Sequence, residues 1–277
     1  MKKIDVHVHL GKVLYDKPGL SVKYVLLWMD SLEIEKACIM AVENPEEVDY
    51  YVPSERVLRA CRQHSDRLIP FCNVDPRRGH PPTWDPYPII AHYVDRGAKG
   101  FGEMLAGLKI DDPRQMKLFD ACNRLKLPIM IHIDGYRNID DIGLPRFEKV
   151  IQTFPEAKFI AHALHWWSEI SGDVTEADKN DYPKRPITTG GRVDVLLQKY
   201  DNLYADLSAE SGRNALTRDP AFAPGFLERN QDKLLFGTDL CYKGLEIKLH
   251  HTLNSMDVST EILSKIYYLN SQKLFEL

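Results

Sequence analysis

Apolar and β-branched residues gather along the chain in short runs bounded by turn-forming residues: Ile4 to Leu10, Lys36 to Val42, Leu68 to Val74, Ala98 to Met104, Pro128 to Asp134, Ala157 to Ala163, Asn202 to Leu207 and Leu234 to Asp239. Each reads as a strand. Between most of them the pattern is helical, over Ser21 to Glu35, Pro53 to Ser65, Pro88 to Arg96, Pro113 to Lys126, Pro145 to Phe154 and Arg192 to Tyr200. Several of these helices open with proline, which suits a first turn because its missing N–H would have no partner there. Gly97 follows the third helix, where a C-terminal cap favours glycine.

Strand starts fall about 30 residues apart, and alternating strand–helix units of that size imply a parallel sheet with helices outside it. Eight such units close a (β/α)8 TIM barrel, a single domain over residues 1–277. One enlarged loop follows the sixth strand, with Trp166, Trp167 and Gly190-Gly191, and reads as a lid or pocket wall. A doubly wound open sheet is the competing topology, but no glycine-rich phosphate turn follows the first strand to support it.

Composition narrows the partners. Lys and Arg number 36 against 40 Asp and Glu, a net charge of −4, so no broad basic face is expected and nucleic acid or an anionic membrane is not the main partner. The longest helical apolar stretch, around Tyr24 to Met29, falls far short of the roughly 20 residues of a membrane span. No targeting segment is visible, and the chain reads as cytoplasmic, with a small-molecule substrate and self-association into a homo-oligomer left open. The five cysteines form no C-x-x-C pair and read as reduced, mostly buried thiols without a catalytic role.

The candidate chemistry lies at the strand ends. His7 and His9 are two apart on the first strand, so both project to one face, and two imidazoles on one strand can grip one divalent metal. Metal-ligand types recur where four further strands end: Glu103, His132, His162 and Asp239. In α/β barrels those ends share one mouth, where active sites are built. His64, His92, His250 and His251 fall in helical stretches and His80 in a proline-rich loop, where surface positions are the default; His165, three residues after His162, could reach substrate.

The order H-x-H, Glu, His, His, Asp over strands one, four, five, six and eight resembles the amidohydrolase superfamily. The Ile4-Asp5-Val6-His7-Val8-His9 start and Phe236-Gly237-Thr238-Asp239-Leu240 are similar to its amidohydrolase-related branch, which holds metal-dependent hydrolases and decarboxylases like aminocarboxymuconate semialdehyde decarboxylase. The resemblance implies that His7, His9, His132 and Asp239 hold a catalytic divalent metal, Zn2+ first and Mn2+ or another ion as alternatives. His162 would then be an acid/base or a ligand to a second ion. Glu103 stands where many members carry a carboxylated lysine, and resembles the TatD-like nucleases in offering a carboxylate for a second ion. Lys99 lies deeper on that strand and is not expected to bridge. One ion or two stays open.

Such a metal supplies hydroxide at neutral pH, with Asp239 as proton acceptor and His162 or His165 stabilising charge or protonating the leaving group. Substrate contacts would come from loops: Tyr136 and Arg137 after strand five, Trp166 (with Trp167) after strand six, Arg213 after strand seven, with Arg77, Arg78 and Lys243 as further cations. Arginines at a barrel mouth favour a carboxylate. Asp206 would line the pocket or orient a ligand histidine. The reading is a hydrolase of a C–O or C–N bond, in a lactone, ester or amide of a small, carboxylate-bearing substrate. A non-oxidative decarboxylase is the alternative. A TatD-like nuclease and a non-catalytic metal-binding barrel stand behind both.

Overall fold

The structure, a computed structural model, describes residues 1–46, 48–78 and 83–277. His80 lies outside the described residues. Eight parallel strands form one sheet in sequence order: β1 (Lys3–Val8), β2 (Ile34–Ile39), β3 (Leu68–Cys72), β4 (Gly100–Met104), β5 (Pro128–His132), β6 (Lys158–His162), β7 (Leu203–Asp206) and β8 (Leu234–Leu235). The ring closes between β8 and β1. Val6 N–H donates to Phe236 O at 3.0 Å, Asp239 N–H to His7 O at 2.8 Å and His9 N–H to Leu240 O at 2.9 Å. This is the (β/α)8 TIM barrel that the strand spacing predicts.

The helices pack outside it: α1 (Val22–Ser31), α2 (Ser54–Arg62), α3 (Tyr87–Asp95), α4 (Pro113–Arg124) and α5 (Pro145–Thr153). Ser21 caps α1 by accepting the Tyr24 N–H, and Asp112 caps α4 by accepting that of Arg114, each giving an unpaired first-turn donor a partner. Gly97 adopts φ +107° just beyond α3, as a C-terminal glycine should. Between β6 and β7 lie α6 (Leu164–Ser168), a 3-10 turn at Glu176–Asn180 and α7 (Arg192–Lys199), which together make up the enlarged loop. Two further helices, α8 (Ala209–Thr217) and α9 (Ala223–Asn230), separate β7 from β8.

Two apolar clusters fill the fold. The larger lies between sheet and helices, and the smaller, with Val6, Met40, Phe71, Met130 and Ile160, fills the barrel. The register of β1 on β2 shifts between Asp5 and Val8, a bulge-like irregularity that lets Val6 join the inner cluster while His7 and His9 still reach the mouth. Four of the five cysteines are buried and all are free, as read.

Candidate metal centre

Strand ends bring six side chains together above the inner cluster. Glu103, at the end of β4, is their hub. Its Oε2 lies 3.2 Å from His7 Nε2 and 3.4 Å from His9 Nε2, and its Oε1 lies 3.0 Å from His132 Nδ1 and 3.3 Å from His162 Nε2. Asp239 Oδ1 joins the first group, 3.2 Å from His9 Nε2 and 3.5 Å from His7 Nε2. The Glu103 carboxylate therefore turns one oxygen to each of two histidine pairs.

The opposite ring nitrogens are held from outside. His7 Nδ1 sits 2.8 Å from Asp206 Oδ2 and His132 Nε2 sits 2.9 Å from Asp134 Oδ2. The Ser208 hydroxyl donates to Asp206 Oδ2 at 2.5 Å and lies 3.2 Å from His162 Nδ1. Because a carboxylate only accepts, His7 Nδ1 carries the proton toward Asp206, and its Nε2 lone pair faces the carboxylates of Glu103 and Asp239. Gly237 makes this possible: a Cβ there would lie 2.1 Å from Asp206 Oδ1. At Gly102, with φ +130°, a Cβ would lie 2.6 Å from Met130 O, so only glycine fits where the strand delivers Glu103 into the mouth.

Acceptors facing acceptors need a positive charge between them. His7 Nε2 and His162 Nε2 are buried without a hydrogen-bond partner among the described residues. Burial pushes the His7 pKa down, yet Glu103 and Asp239 outweigh it and raise it well above the ordinary value; His9 rises to about 8 for the same reasons. Burial pushes Glu103 up, and His7, His132 and His162 pull it well below the usual carboxylate range. The cluster draws in a cation, a proton or a metal ion. Ligands about 2.0–2.1 Å from a tetrahedral ion stand about 3.3 Å from one another, the spacing found here. His7, Glu103 and His162 form one set with ligand atoms mutually within 4.8 Å, and His7, His9 and Asp239 another.

The other expected site residues divide. Asp206 orients His7 rather than lining the pocket. Arg137 points its guanidinium at Asp134, 2.7 Å away, and so braces the carboxylate that holds His132. Arg213 pairs with Glu210 beside a chamber that reaches Asp239. His165 is fully buried in α6 with Nε2 3.2 Å from Glu169 Oε1, which also accepts the Gly143 N–H; it anchors the loop and is not among the clustered imidazoles. Trp166 is likewise fully buried, edge-on to Phe147 at 5.9 Å, so it is a core residue and not a substrate cover. Tyr136 is 66% exposed and lines neither chamber over the centre. Lys99 lines a cavity with Leu277 and Pro70, away from the centre, and does not bridge. Asp134 and Ser208 were not foreseen; Asp134 stands two residues beyond His132, the same-face spacing that had drawn attention to His7 and His9.

Comparison with protein-family models finds no match, nor does comparison with curated proteins. Solved structures do resemble the chain. One is a probable 2-pyrone-4,6-dicarboxylic acid hydrolase from Acinetobacter baumannii with citric acid bound, 12% identical, with a TM-score of 0.69 over 100% of both chains. A second is 5-carboxyvanillate decarboxylase from Novosphingobium aromaticivorans, complexed with manganese and 4-hydroxy-3-methoxy-5-nitrobenzoic acid, 14% identical over 99% of this chain and 96% of the other, with a TM-score of 0.66. A third is 2,6-dihydroxybenzoate decarboxylase from Rhizobium, 16% identical over 99% and 98%, with a TM-score of 0.60. At such identities the likeness is one of fold.

Proposed function

We propose that the chain is a metal-dependent hydrolase of the amidohydrolase superfamily, acting with two divalent ions, zinc or manganese, on the C–O or C–N bond of a small ester, amide or lactone. The observation that carries this is Glu103, with one carboxylate oxygen toward His7 and His9, which Asp239 also faces, and the other toward His132 and His162. His7, His9 and Asp239 would hold one ion and His132 and His162 another, with Glu103 offering an oxygen to each. When bound, such ions supply hydroxide at neutral pH and polarise a carbonyl.

The protein's own groups do the rest. Asp239 presents Oδ1 to the histidines, and its side chain stays 25% exposed, so its other edge can accept the proton of the attacking water and pass it to the leaving oxygen or nitrogen. His162, 2% exposed and aimed at Glu103, serves as a ligand on this reading rather than as the acid. Asp206, Ser208 and Asp134 fix the ring orientations, as outer carboxylates do for ligand histidines. A decarboxylase is the second reading, favoured by the two decarboxylases that share the barrel.

The test is metal analysis combined with a substrate panel. The expected result is two ions per chain in the native protein, at most one in Glu103→Gln, and hydrolysis of some ester, amide or lactone by the loaded enzyme. Release of CO2 from an unsaturated or aromatic acid without uptake of water would establish the second reading instead.

A further inference from the structure

Two chambers meet over Asp239 and Cys241. The inner one, about 70 Å3, has Val13, Leu14, Val48 and Leu105 as its outer wall and the centre as its floor. No Lys or Arg among the described residues lines it. The outer chamber, about 200 Å3, carries Arg213 and Lys248 beside Glu210 and Glu246. Arg213 gives Nε–H and one Nη2–H to Glu210, at 2.8 and 2.6 Å. A guanidinium has five N–H groups, so the Nη1 edge remains to meet a ligand. The Lys248–Glu246 pair is solvent-exposed, and such pairs hold weakly enough to exchange.

We propose that the substrate straddles Asp239 as an acyl ester or amide, with a short uncharged aliphatic acyl group in the inner chamber and a carboxylate-bearing alcohol or amine half in the outer chamber against Arg213 and Lys248. This rests on the hydrolase reading above and adds the substrate's class and orientation. The acyl carbonyl must face the centre, and the inner chamber is the space that continues from there. A charged acyl tail would lie against valine and leucine beside two carboxylates, at a heavy desolvation cost. About 10–15 Å3 of such space seats one water-sized group, so 70 Å3 seats about five, a carbonyl and one to three further carbons. In the reaction the water oxygen bonds to the acyl carbon, the C–O or C–N bond breaks with its electron pair left on the departing atom, and that atom takes the proton held by Asp239.

The experiment measures kcat/KM of the metal-loaded enzyme for O-acyl glycolates and N-acyl glycines from acetyl to octanoyl, with succinyl as a charged acyl group and the uncharged amides of the same leaving halves as controls. The expected profile peaks between acetyl and butyryl and falls at least tenfold by octanoyl, with succinyl no better than octanoyl. Leu105→Ala moves the optimum to longer chains, each further buried methylene gaining about fourfold. Arg213→Gln raises KM about tenfold for the carboxylates and leaves the amide controls unchanged. A preference for octanoyl or succinyl, or an equal effect of Arg213→Gln on charged and uncharged leaving halves in a protein with unchanged melting temperature, overturns the proposal while keeping the hydrolase. If no ester, amide or lactone is hydrolysed with zinc or manganese, the hydrolase reading itself has failed.

Discussion

At the scale of single residues, the groups just behind the ligands decide how well the centre holds an ion. Asp206 is fully buried, accepts from His7 and from Ser208, and is not itself a proposed ligand. Replacing it with asparagine leaves the space filled and removes the charge that fixes the His7 proton on Nδ1. Asp206→Asn is therefore expected to weaken metal binding about 10–100-fold, the usual effect of losing such a partner, as read by competition with a chromophoric chelator. An unchanged affinity would show that the ring is oriented by packing alone. Trp166 separates the opposite way: it is fully buried and packs edge-on to Phe147 and Trp167 in the core. Trp166→Ala should cost about 3–5 kcal/mol in denaturant unfolding and leave metal affinity as it was. The six clustered residues were legible from the sequence because each ends an apolar strand. Trp166 and His165 were misread because loop residues next to a ligand look functional in sequence, whereas α6 turns both into the core.

At the scale of elements, what holds the loop after β6 is a set of ion pairs that no periodicity reveals. Arg185 donates to Asp173 and to both oxygens of Asp178, whose Oδ2 also caps Thr175. The Arg185 bonds hold the Asp178 carboxyl well below its usual range, despite some opposing burial, with the Thr175 N–H and hydroxyl helping. A depressed carboxylate stabilises fully above its unfolded pKa of about 4 and loses that contribution only as pH falls through the lower folded value. Arg185→Gln moves the folded value back up. Hydrogen-exchange protection over residues 171–190 should then be lower in the variant than in the parent already at pH 6, with the gap closing only as pH falls below about 4; equal protection at pH 6 would show that apolar packing carries the loop. All eight strands were legible for a different reason. Buried on both faces, they read as continuous apolar runs rather than alternating ones. What stayed hidden were short helices: α6 has only five residues and starts two residues after β6, and α8 carries Gly212 within it. The run predicted over Leu234 to Asp239 pairs regularly only at Leu234–Leu235, because beyond it the chain bends to present Asp239 at φ +55°.

At the scale of the whole molecule, the question is whether the proposed ions would build the barrel or only load it. The sheet closes through backbone hydrogen bonds from β8 to β1, and both apolar clusters are complete without any group from the centre. None of those interactions needs an ion. Without a metal, Glu103 and Asp239 face His7 and His9, whose raised pKa values let them take up protons in its place. Chelation is therefore expected to leave the far-ultraviolet dichroism unchanged and to lower the melting temperature by ordinary ligand linkage. Free metal at a hundred times its Kd stabilises by about 2.7 kcal/mol. At about 2–4 °C per kcal/mol for a domain approaching this size, the midpoint should fall by about 5–10 °C. It should rise again with added zinc or manganese. The protons that His7 and His9 take up in place of an ion add a sign to this: they compete with the metal increasingly as pH falls, so the gap between loaded and stripped protein should narrow. Loss of all secondary structure on chelation would instead assign the ions a structural role, and with it the non-catalytic reading of the centre.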